Sequence, residues 1–271
     1  MVFLPEELMA EILPFFNVKT ITRLKCLSKS WMTFISDSNF VQKHLKNSLQ
    51  NPHLTLFWYQ RTNCFNVVPY PVYPLLKNPG NNLYNSSSFH RLKHRLEKPC
   101  EFIGSCNGLL CLRYSSGLET HQFCFWNPAT RTTSEKLGSL CYSNPALGPF
   151  HYTFGYDAST TTYKVVAFRT RKSESSWISE VKVFSLGNNS WRNIQSFPFY
   201  IPYIPVGVHF SGTVNWLALD KSITHVEQFV IVSLDLSTET YKQFLLPPDF
   251  DEMKEYGVQE SWTQLFKISF R

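Results

Sequence analysis

The 271-residue chain has no uninterrupted apolar run of about 18 residues, the length a membrane-spanning helix needs, so no part of it is expected in a bilayer. Its first residues, MVFLPEELMAEIL, hold three glutamates and are broken by Pro5 and then Pro14, where an export signal would carry positive charge and an unbroken apolar core. These two absences point to the cytosol or the nucleus. Cysteine pairing is lacking as well. The seven cysteines (Cys26, Cys64, Cys100, Cys106, Cys111, Cys124, Cys141) are odd in number and show no Cys-x-x-Cys spacing, which reads as reduced, buried thiols. Without export, the sequons at Asn85 and Asn188 lose their meaning.

Catalytic motifs are also missing. There is no Gly-x-Ser-x-Gly elbow, no glycine-rich phosphate loop and no His-Glu-x-x-His pair. His121, His151, His209 and His225 stand singly, so neither a metal nor any other cofactor is expected, and the chain reads as non-catalytic. An excess of 26 Lys and Arg over 20 Asp and Glu suits an acidic partner but is too small to demand nucleic acid. The basic stretch from His90 to Lys98 could contact a phosphate backbone, yet it reads more simply as a solvated face.

What the chain has in quantity is aromatics and proline: 23 Phe, 13 Tyr, 7 Trp and 16 Pro, the composition of many short strands joined by turns. The first forty-odd residues differ. Leu4, Leu8 and Ile12, with Met9, Leu13 and Phe16, recur at helical spacing behind Pro5, which suits a first helical position. Val18, Ile21, Leu24 and Leu27 form a second such series, and Trp31, Phe34 and Ile35 a third. Asp37 or Ser38 can cap a last short helix with Phe40, Val41, His44 and Leu45. So small a module cannot bury all these residues against itself, which implies either an outside partner or packing on the rest of the chain.

From about Asn51 strand-and-turn patterning takes over. Strands are predicted at Gly104–Arg113, Gln122–Trp126, Tyr163–Phe168, Val181–Leu186, Val206–Leu219, Phe229–Leu236 and Trp262–Phe270, with an irregular loop over Pro69–Ser88. Asn127, Ser185 and Asp235 each sit where an apolar strand enters a polar turn, a weak repeat like that of kelch-type blades, whose period is roughly 50 residues.

The string from Leu4-Pro5-Glu6-Glu7-Leu8, through Glu11-Ile12-Leu13 and Arg23-Leu24-Lys25-Cys26-Leu27-Ser28-Lys29-Ser30-Trp31, to Phe40 closely resembles the F-box of plant F-box proteins. The remainder resembles the F-box-associated domain of plant F-box/kelch-like and S-locus F-box-like proteins. Gly104-Ser105-Cys106-Asn107-Gly108, Trp126-Asn127-Pro128-Ala129-Thr130-Arg131, Phe154-Gly155-Tyr156-Asp157, Ser190-Trp191-Arg192 and Gly212-Thr213-Val214-Asn215-Trp216 carry that likeness, in family order.

The resemblance implies a multidomain α+β chain: a small N-terminal helical F-box (residues 1–46), a linker with first strands and an irregular loop (47–95), and an all-β, kelch-like propeller-type domain (96–271). Relatives usually carry about two more strands where Glu252 here runs straight into Met253, which puts the completeness of that domain in question. The implied function is substrate recognition in a Skp-cullin-F-box ubiquitin ligase. Leu4, Pro5, Leu8, Ile12, Leu13, Cys26, Ser28 and Trp31 would meet a Skp-type adaptor, and through it a cullin scaffold. Trp177, Tyr200 and Tyr203, the last two in the proline-rich loop Phe197–Tyr203, are surface candidates for gripping a target protein. A ligase-independent reader of glycan or nucleic acid and a non-functional truncated paralogue stay open as alternatives.

Overall fold

Helices form where the apolar spacing predicts them. In the computed structural model, which describes residues 5–48, 53–60, 64–71, 100–116, 120–141, 148–172, 177–197, 201, 207–220 and 228–245, helix α1 (Glu6–Ile12) runs into a single 3-10 turn at Leu13–Phe15. Helices α2 (Val18–Leu24), α3 (Lys29–Ser36) and α4 (Ser38–Ser48) follow. Their starts are fixed by side chains that accept free backbone N–H groups: Asn17 from Thr20 at 2.9 Å, Ser28 from Trp31 at 3.2 Å, and Asp37 from Asn39 at 2.9 Å. Asp37, and not Ser38, is the cap of α4, and that helix is 11 residues long instead of short. Pro5 sits one position before the helix, with its carbonyl accepting from Met9 N–H at 3.1 Å and its ψ still extended at 145°.

The chain divides into two units, one of residues 1–145 with 184–191 and one of residues 146–183 with 192–271. In the first, Leu13, Ile21, Ile35 and Phe40 form the helical core, with Met9, Leu24, Trp31 and Phe34 packed around it. The same unit holds a hairpin of β1 (His53–Gln60) and β2 (Cys64–Pro71). The strand runs on through Pro69 to Pro71, where the sequence predicts loop; among the described residues β2 pairs with β1 alone, and proline is tolerated on a strand side that donates to no ladder.

Strands β3 (Cys100–Cys106), β4 (Leu109–Ser116), β5 (Thr120–Asn127) and β6 (Thr132–Thr133) make an antiparallel sheet, with β7 (Leu137–Cys141) also on β5. The single strand expected over 104–113 is therefore a hairpin. Asn107 and Gly108, at φ 50° and 74°, supply the two left-handed residues of a tight turn. Both faces of the sheet are buried: Cys111, Phe123 and Phe125 on one, Leu110, Leu112, Cys124 and Trp126 on the other. This explains the unbroken apolar run Leu109–Leu112, which does not alternate. Trp191 packs on Phe123 and Phe184 at ring distances of 5.7 and 5.3 Å, and its indole N–H donates to the Gly138 carbonyl at 2.8 Å. Gly138 has φ 59°, and a Cβ there would lie 2.9 Å from the Phe184 ring, so no other residue fits.

Two antiparallel meanders follow, in each of which every strand pairs with the next in the chain; they belong to the second unit except for residues 184–191, at the turn between the third and fourth strands of the first meander. One is β8 (His151–Asp157), β9 (Thr162–Lys172), β10 (Trp177–Ser185) and β11 (Ser190–Asn193); the other is β12 (Val208–Phe210), β13 (Thr213–Asp220), β14 (Gln228–Asp235) and β15 (Tyr241–Leu245). The strand expected over 206–219 breaks at Ser211 and Gly212, which have φ 48° and 80°. Phe168, Val181, Val214, Trp216, Val232 and Leu234 lie in the core between them. Phe197 and Ile201, two residues of the loop expected at the surface, are instead buried in that core. The loop's tyrosines, Tyr200 and Tyr203, lie outside the described residues, as do the strand expected at Trp262–Phe270, the basic stretch His90–Lys98 and the Glu252–Met253 junction.

One turn recurs. Asn127, Asp157 and Asp235 each end a strand and accept, through Oδ1, the N–H groups two and three residues on, at 2.8–3.4 Å. Four residues after each comes a left-handed residue: Arg131, Thr161 and Glu239, at φ 60°, 52° and 58°. Ser185 and Asn189 (φ 48°) hold the same spacing in a fourth hairpin. The repeat legible in the sequence has three members; Asp157 adds a fourth.

In the second unit Asp157 also serves a buried ionic cluster. Lys164 reaches Asp157 Oδ2 at 2.9 Å, donates to the Leu236 carbonyl, and lies 3.4 Å from Glu239 Oε1. Lys164 and Asp157 are only 3% and 1% exposed, so neither charge is hydrated. Burial by itself would raise the Asp157 pKa, but hydrogen bonds from Lys164, Ser159 and Thr160 overcome it and hold the carboxyl well below the usual range. A depressed folded pKa adds stability that is present above the unfolded value of about 3.9 and drains away as pH falls below it. Acid titration of unfolding should therefore show the β-domain weakening as pH drops from about 5, and an Asp157→Asn/Lys164→Met variant should weaken less steeply over that range.

Close approach fixes another position. A Cβ at Gly155 would lie 2.5 Å from His209 Cδ2 and 2.8 Å from Leu236 Cδ1, while the His209 ring meets the Tyr156 backbone at 3.2 Å. Gly155→Ala should cost about 1–3 kcal/mol in chemical denaturation, the usual penalty for overfilling a packed site.

Candidate functional site

Helix α1 carries two apolar stripes. Met9 and Leu13 turn inward to the helical core, whereas Leu8 and Ile12, four residues apart, are 47% and 46% exposed. The outward stripe continues into Phe15, 70% exposed, and Phe16, 42% exposed. A helix on the surface of a self-sufficient domain needs only one such stripe. Leu27, Met32 and Val41 add exposed apolar side chains at the α2–α3 junction and on α3 and α4. Contiguous exposed apolar side chains of this kind mark a surface that another molecule covers.

The residues singled out from the sequence fall into distinct places. Leu8 and Ile12 are exposed on α1, Pro5 just before it, and Cys26 is exposed two residues past the end of α2. Ser28 is exposed as well, but its hydroxyl is engaged as the cap of α3. Trp31 is half-buried against the core, and Leu13, at 6% exposure, belongs to the core itself and has little surface to offer a partner. Leu4 lies outside the described residues. Phe15, Leu27 and Met32 were not picked out as contacts. Of the three, Leu27 alone stands in an apolar series of the sequence; Phe15 and Met32 fall outside every series, and which apolar side chains stay uncovered depends on how α3 and α4 pack.

On the β-side, Trp177 opens β10. In the last meander Leu217 pairs across with Ile231, and Ile231 with Phe244, making an apolar row in which Leu217 and Phe244 are exposed. Four cysteines (Cys100, Cys106, Cys111, Cys124) are buried, and burial pushes Cys100 up to about 11 and Cys106 up to about 12, so they supply no thiolate at neutral pH. Burial first, and Arg113 second, push His121 down to about 4, which keeps it a neutral imidazole. Among the described residues no three His, Cys, Asp or Glu side chains gather as a metal site, and no helix is long and apolar enough to cross a membrane.

Two family models match the chain: the F-box domain over residues 3–43 and the F-box associated beta propeller domain over residues 77–265. An F-box/kelch-repeat protein of Arabidopsis thaliana is 27% identical over 301 residues, taking in 98% of this chain and 79% of the relative. F-box protein CPR1 of the same plant is 26% identical over 322 residues, 99% of this chain and 73% of that one. The plant's F-box/WD-40 repeat-containing protein 1 is 27% identical over 261 residues, 92% of this chain and 57% of the relative. The first two alignments are longer than the 271-residue chain, so both relatives hold internal residues that this one lacks.

Proposed function

The chain belongs to the F-box family whose members carry an F-box associated β-propeller domain, and on that premise we propose that it is the substrate-recognition subunit of a Skp-cullin-F-box ubiquitin ligase. The family is of the non-catalytic adaptor type. The observation that carries the proposal is the second, uncovered stripe of α1, Leu8–Ile12–Phe15–Phe16. A Skp-type adaptor covers it, Leu27, Met32 and Cys26 extend the contact, and a cullin scaffold joins through the adaptor. The β-domain holds the target, with Trp177, Tyr200 and Tyr203 as contacts, so that ubiquitin transfer gains from proximity and the chain itself does no chemistry. This work belongs in the cytosol or nucleus.

The test is assembly from purified parts. The full chain mixed with a Skp-type adaptor and a cullin should elute as one ternary complex, and without the adaptor the chain and cullin should elute apart. Elution of the chain away from the adaptor would remove the proposal.

A further inference from the structure

Charge in the helical module is segregated. Glu6, Glu7 and Glu11 lie on α1, and no Asp or Glu occurs between Ile12 and Ser36, a stretch that holds Lys19, Arg23, Lys25 and Lys29. Lys19, Arg23 and Lys29 are exposed and Lys25 is half-buried. Among the described residues no ion pair ties any of the four to an acid. In their midst Leu27 stands 65% exposed at the junction of α2 and α3. A solvated segment would not need so large an apolar side chain exposed among its cations, whereas an interface edge has this composition: an apolar anchor flanked in the chain by charges of one sign.

We infer that the adaptor meets residues 19–29 with an acidic strip around an apolar pocket for Leu27, and that this pairing steers association. The inference rests on the adaptor reading above and adds to it the chemistry of one side of the contact. Rim charges act on encounter more than on residence, and salt screens them, while the stripe on α1 acts on residence.

The experiment follows association of the full chain with a purified Skp-type adaptor at about 0.05 M and about 0.5 M salt. Lys19→Glu/Arg23→Glu/Lys29→Glu should slow association about tenfold at low salt, with the gap closing at high salt and the dissociation rate little changed. Lys19→Gln/Arg23→Gln/Lys29→Gln, a milder change in case the reversal does not fold, should fall between. Rates equal to those of the unaltered chain at both salts, or faster ones, would overturn the inference and leave the adaptor reading standing. Failure of the unaltered chain to bind at either salt would overturn both.

Discussion

Leu8→Ala/Ile12→Ala should abolish binding of the proposed adaptor while the chain still folds. Both side chains are about half exposed and absent from the helical core, so truncation leaves Leu13, Ile21, Ile35 and Phe40 in contact and the melting temperature close to that of the unaltered chain. In the complex the same side chains would be buried. Truncating a buried Leu or Ile costs about 2–5 kcal/mol, so two together should weaken the complex about a thousandfold even at the lower figure, and a pull-down should come back empty. Leu13→Ala is the contrasting change. It should lower the stability of the helical module by a similar energy and reduce binding only through unfolding. Binding retained by the double variant would mean that the outward stripe is not the contact.

Lys164→Met carries the second large effect, in the β-domain. Removing the lysine leaves Asp157 buried at 1% exposure without its ion-pair partner and opposed only at longer range by Arg192, which is the remaining ionic partner of Glu239. Breaking a buried pair from one side costs about 3–5 kcal/mol, a large part of what a domain of this size has. Denaturant unfolding of the full chain, followed by a probe in the β-domain, should show its transition moved sharply to lower denaturant or lost. Asp157→Asn in the same chain should recover part of the loss, because the uncompensated charge goes while the amide oxygen can still accept from Ser159 and Thr160. A double variant no better than the single would show that Lys164 acts through packing of its alkyl stem.

Local signals made much of this legible. Helix periods, a cap at Asp37 or Ser38 and the strand-to-turn passages at Asn127 and Asp235 are readable because each depends on residues within a few positions of one another. The hairpin turns at Asn107-Gly108 and Ser211-Gly212 were equally local, but the long apolar patterns around them read as single strands and overrode the turn signal. What lay beyond reading was set by distant partners. Nothing near Leu13 distinguishes it from Leu8, since the choice of inward stripe is made by Phe40 and Ile35, more than twenty residues on. Nothing near Lys164 marks it as a buried cation, because two of its partners, Leu236 and Glu239, come from the far end of the described chain.

The recurring Asx-closed turn bears on how such a chain comes off the ribosome. Each closure spans only five residues and draws on its own carboxylate or amide, so a hairpin can form as soon as it emerges, with none of the later sheets yet made. Contacts this local are the quick ones in folding. Each blade then waits as a preformed hairpin for the next, which limits the time that its paired apolar faces stand open to neighbouring chains.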